Sequence, residues 1–90
     1  MALSGQITVS TAGTAVQSST TPPPGYDVAV KAHPDNAGAI WAGQDGAGDV
    51  TNGNGFPLSP GEGVVVPDLM QYWFDADNNG DVVCWLAVAR

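Results

Sequence analysis

The chain has 90 residues, a net charge of −7 and only two fixed cations, Lys31 and Arg90. A nucleic-acid binder needs several Lys or Arg side chains to displace phosphate counterions, so DNA and RNA are excluded as partners, and the same balance argues against anionic membrane surfaces. No apolar run approaches the roughly 20 residues of a transmembrane helix, which predicts a soluble protein with no membrane partner.

A chain of this length makes one domain, residues 1–90, with 1–5 as a tail, and it hides only about 60% of its unfolded surface. Its own core is therefore small. Charged residues make up 12% of the chain and hydrophobic ones 43%, against a usual charged share of about 25%. A surface made largely of Gly, Thr, Ser and Asn suits burial in an assembly. The start, Met1 to Gly5, has neither the basic residues nor the apolar stretch of a secretory signal, and predicts a protein made and kept in a cytoplasm. Cys84 is the single cysteine and has no internal disulfide partner. Val82, Val83, Trp85 and Leu86 around it predict a buried, inert thiol.

In chain order, Gln6 to Ser10 alternates with Ile7 and Val9 on one face, Thr11-Ala12-Gly13 turns, and Thr14 to Gln17 continues the strand or pairs back as a hairpin. Residues 18–25, SSTTPPPG, have no apolar side chain, and Pro22, Pro23 and Pro24 favour an extended connection or arm. Tyr26 to Ala32 places Tyr26, Val28, Val30 and Ala32 on one face and Asp27, Ala29 and Lys31 on the other, a half-buried strand. Ile40 to Gly43 is its expected hairpin partner across His33 to Gly38. The glycine-punctuated loop that follows is expected to be pinned to the core by Phe56 and Leu58. Pro57 and Pro60 hold it extended before the strand Val64-Val65-Val66. Pro67 to Met70 turns, Gln71 to Phe74 forms an aromatic strand, Asp75 to Asp81 turns, and Val82 to Val88 closes the chain. No segment shows a capped 3.6-residue stripe, so no long helix is expected. Seven or eight short antiparallel strands, separated by twelve glycines and seven prolines, predict an all-β domain, a β-sandwich or jelly roll, with a small barrel as the alternative.

Asp75-Ala76-Asp77-Asn78-Asn79-Gly80 matches the opening of a calcium loop, in which oxygens at alternate positions converge on a hard cation. Asp75, Asp77 and Asn79 are thus the candidate metal ligands. The match fails at the twelfth position, where Leu86 stands in place of a bidentate Glu, and Asp, Asn and Gly also dominate plain hairpin turns. A plain turn, with no metal and no cofactor, is the expectation. His33, the one histidine, has no nucleophile and orienting acid marked by spacing. Eight Asp and Glu62 sit mostly beside turn residues. The chain is not expected to be an enzyme.

The order KAHPDN, a short strand closing on WAG, NGFPLSPGE before a valine strand, YWFDAD and a final strand resembles small all-β structural proteins of tailed bacteriophages, some of which decorate the capsid as cement proteins. The resemblance spans Gln6 to Val88. It implies a non-enzymatic virion protein on the capsid surface, assembled in the host cytoplasm, whose partners are the major capsid protein and further copies of itself as a homotrimer. A neck, tail or fibre-associated module of the particle is the alternative, as is a carbohydrate-binding module stacking sugars on an exposed tryptophan. Both faces of the last strand are apolar, and Trp73 faces away from Tyr72 and Phe74. The expected interface therefore includes part of the set Trp41, Trp73 and Trp85, with Pro22, Pro23 and Pro24 or the loop from Gln44 to Gly55 as the reaching arm.

Overall fold

A computed structural model describes residues 3–18, 25–44, 50, 51 and 53–89. Among the described residues eight strands are present: β1 (Ser4–Val9), β2 (Val16–Gln17), β3 (Tyr26–Ala32), β4 (Ile40–Gly43), β5 (Phe56–Leu58), β6 (Gly63–Val66), β7 (Trp73–Ala76) and β8 (Asp81–Ala89). They form two antiparallel four-stranded sheets, one in the order β1-β8-β3-β6 and the other β2-β7-β4-β5. The chain is an all-β sandwich.

Period-two alternation explains the burial. Ile7 and Val9 of β1, Val28, Val30 and Ala32 of β3, and Val83 and Trp85 of β8 point into the core from the first sheet. Ile40, Ala42, Leu58, Phe74 and Ala76 meet them from the second. β8 is the longest strand and lies between β1 and β3, with Ile7 opposite Val83 and Val30 opposite Trp85. The aromatic strand begins two residues later than the sequence suggests. Leu69–Gln71 form a single 3-10 turn, which Asp68 caps by accepting from the Met70 amide at 3.1 Å. Asp75 therefore belongs to β7 rather than to the turn after it.

Two expected hairpins are arches between the sheets instead. β2 pairs with β7, not β1, because the turn after β1 is clasped from the opposite sheet. Ala12 donates to Asn79 Oδ1 at 2.7 Å and Gly13 to Asp75 Oδ1 at 2.9 Å. Likewise β4 pairs with β5 and β7, while β3 pairs with β6 and β8. Residues 33–39 cross the end of the sandwich, held there by the start of β8. The Asn36 side chain accepts from the Val82 amide and donates to its carbonyl, both at 2.9 Å. The Asp81 carboxylate accepts from the amides of Ala37 at 3.0 Å and Gly38 at 3.1 Å. A buried acceptor that satisfies two turn amides fixes an arch that local turn chemistry alone leaves open.

The loop before β5 is anchored differently from expectation. Leu58 is buried, but Phe56 is 57% exposed, and the buried anchor is Val50. Gly55, at φ +121°, allows this: a Cβ there would stand 2.9 Å from the Ala42 carbonyl oxygen and 3.1 Å from Val50 Cγ2.

Candidate interaction surfaces

The three candidate metal ligands reach three different places. Asp75 is fully buried on the outer side of β7, covered by the turn after β1, and its Oδ1 accepts from Gly13 and Ala76 at 2.9 and 2.8 Å. Its Oδ2 has no hydrogen-bond partner among the described residues. Asp77 Oδ1 accepts from Trp41 Nε1 at 2.9 Å, and Asn79 Oδ1 from Ala12. Among the described residues no group of three or more His, Cys, Asp or Glu is gathered as a metal cage. These side chains clasp turns to the strands and turns beside them. His33 is similarly engaged, its Nδ1 accepting from the Asp35 amide at 3.0 Å.

The three tryptophans separate. Trp85 is 4% exposed and belongs to the core, which corrects its assignment to an interface, since all but a sliver of its surface is already covered. Gly5, opposite it in β1, makes room for the indole: a Cβ at position 5 would lie 2.8 Å from Trp85 Nε1. Trp41 and Trp73 are half-buried and share the outer face of the second sheet. Trp41 stands opposite Asp75 and Pro57, and Trp73 opposite Gly43 and Gln17. This register makes the two residues diagonal neighbours, with backbones about 7–8 Å apart, while the Trp41 indole reaches toward Asp77.

With Trp85 inside, the other face of β8 is outside. Leu86 is 54% and Val88 42% exposed, and Val65 of β6 is 61% exposed. Cys84 lies on this outer face, half-buried, with the Gln6 side chain 3.8 Å from its sulfur. The expectation of a thiol enclosed in the core is thereby corrected. Apolar residues on both sides of β8 were visible in the sequence, but not which side the core would take. The exposure of Val65 has no signal in the sequence, since a run of three valines carries no alternation to say which one faces outward.

The sandwich is open at both flanks. A groove of about 320 Å³ lies between β1 and β2, lined by Gln6, Thr8, Val16, Gln17 and Trp85. One of about 310 Å³ lies between β6 and β4–β5, lined by Phe56, Val64, Tyr72 and Phe74. Pro22, Pro23 and Pro24, and most of the polar part of the Gln44–Gly55 loop, fall outside the described residues. No helix among the described residues is long and apolar enough to cross a membrane. Compared with protein-family models, curated proteins and solved structures, the chain matches none.

Proposed function

We propose that this chain is a non-enzymatic structural subunit of a tailed-bacteriophage virion, seated on the outside of the major capsid shell as a decoration protein. The observation that carries this reading is that both outer layers of the sandwich present apolar groups: Leu86, Val88 and Val65 on one, Trp41 and Trp73 on the other. Apolar surface on two opposite faces suits a subunit held between neighbours. The YWFDAD and NGFPLSPGE segments that resemble phage proteins supply the identity of those neighbours. The work is mechanical: a small subunit that bridges capsomers adds many weak contacts acting together, without altering the shell's own fold.

Mixing the purified protein with heads stripped of decoration tests this. Co-sedimentation and a rise in the heat or chelator resistance of the heads are expected. Unchanged heads with no bound protein would remove the decoration role, and binding to tails or necks alone would move the subunit to that part of the particle.

A second reading rests on Trp41 and Trp73. Two half-buried indoles on one sheet face offer aromatic surface against which a sugar ring can stack. A glycan-binding screen decides between the readings. Saturable binding that is lost in both Trp41→Ala and Trp73→Ala, with the fold intact, would favour a carbohydrate-binding module.

A further inference from the structure

The outer face of the first sheet has a charge pattern matched to itself. Ser4, Leu86, Ala29 and Val65 form one row running across all four strands. On the same side of β3, Lys31 lies two residues to one side of Ala29 and Asp27 two residues to the other, each about 7 Å from the row. A two-fold axis lying in the face along this row reverses the strand direction. It sets Leu86 against Leu86 and Val65 against Val65, and brings Lys31 of each copy over Asp27 of the other.

We propose that two copies of this chain pack face to face through the outer surface of the β1-β8-β3-β6 sheet, about that axis, with two symmetric Lys31–Asp27 contacts flanking an apolar row. The charges choose the orientation. A two-fold running along the strands through the middle of the face would instead lay β3 over β8, with each Lys31 over Cys84 and each Asp27 over Val88, whereas the two-fold along the row pairs opposite signs twice. Asp27 already has a partner within its own protomer, and Lys31 of the second copy joins that contact. Cys84 and Val88, two residues either side of Leu86, then face each other across the interface, so the half-buried thiol lies inside the footprint.

Four strands about 4.8 Å apart and some six residues long present roughly 400 Å² of flat face per copy, and about 1,000 Å² in total once side-chain relief is counted. That is the low end for a specific interface and predicts a micromolar dimer. The contact is read from this face alone and does not depend on the phage assignment. It also leaves the Trp41–Trp73 face free for another partner. It departs from the three-fold association that the phage resemblance implies.

Sedimentation equilibrium of the full chain, from low micromolar to hundreds of micromolar, tests the proposal. A monomer–dimer equilibrium is expected. Leu86→Asp gives a folded monomer, and Lys31→Asp weakens the dimer about tenfold or more by placing carboxylate against carboxylate twice. The exchange Asp27→Lys with Lys31→Asp restores it. If that exchange fails to fold, Lys31→Asp alone carries the charge test. In the wild type, alkylation of Cys84 slows as concentration rises through the dimerisation range, and in Leu86→Asp it does not. A strict monomer, a trimer, an undiminished Lys31→Asp dimer, a folded exchange variant no tighter than either single reversal, or alkylation independent of concentration would each overturn the proposal.

Discussion

Gly5 and Trp85 face each other across the β1–β8 ladder, and the indole lies where a Cβ on Gly5 would stand, 2.8 Å from Nε1. This contact lets the largest side chain of β8 turn inward and lie against bare backbone. Gly5→Val is expected to destabilise the domain by about 1–3 kcal/mol through overpacking, and Trp85→Ala by about 3–5 kcal/mol. Leu86→Ser, one residue away on the opposite face, should stay within about 0.5 kcal/mol of wild type at concentrations where the chain is monomeric. Urea unfolding of the three variants measures this. A Leu86→Ser loss comparable to that of Trp85→Ala would mean that the core lies on the other side of β8.

The same placement predicts the fluorescence of the three tryptophans. Trp85 is buried while Trp41 and Trp73 are only half-buried. A variant with Phe at both 41 and 73 should emit at shorter wavelength and resist acrylamide quenching. A Trp85→Phe variant should remain readily quenched. Equal quenching of the two variants would contradict the burial of Trp85.

Asp81 is buried and holds the arch between β3 and β4 by accepting from two amides. Asp81→Ala leaves both donors without that acceptor, and a loss of about 1–3 kcal/mol is expected. Asn36→Ala removes both bonds to Val82 and should cost about as much. Because both side chains clasp the same arch to the same strand, the double variant should lose less than the sum of the two single losses. A strictly additive double-mutant cycle would show that the two clasps act independently.

Asp75 ties the turn after β1 to β7 through Gly13. Asp75→Ala is expected to destabilise by about 1–3 kcal/mol, since it takes the acceptor from a part-buried amide. Asp75→Asn keeps an oxygen for Gly13 and should lose less. Thermal unfolding of both variants, with Ala no worse than Asn as the contrary result, tests whether the accepting oxygen matters.

One oxygen each of Asp75, Asp77 and Asn79 is committed to an amide or indole donor. Chelator should leave the melting temperature unchanged, and saturating calcium should not raise it. A calcium-dependent rise of several degrees would show that the cation binds the native state and draws these oxygens together.

The existence of the strands was legible because a half-buried strand alternates, and β3 alternates cleanly: Val28, Val30 and Ala32 are inside and Lys31 is exposed. A low charge, one cysteine and an all-β composition were likewise properties of the residues themselves. The face of β8 was not legible. Val82, Cys84, Leu86 and Val88 are as apolar as Val83, Trp85 and Ala87, so periodicity offers two equal answers, and the choice fell to a glycine about 80 positions away in sequence that faces Trp85 across the ladder. The same holds for the arches. Short segments such as HPDNAG read locally as hairpin turns, but the sheet each following strand joins is set by distant acceptors, Asp81 for Ala37 and Gly38, Asp75 and Asn79 for the turn after β1. Side-chain alternation is a local property of the chain. Satisfying a covered amide is a property of whatever the completed fold brings near it, and so the tertiary structure alone decided which surfaces this domain turns outward.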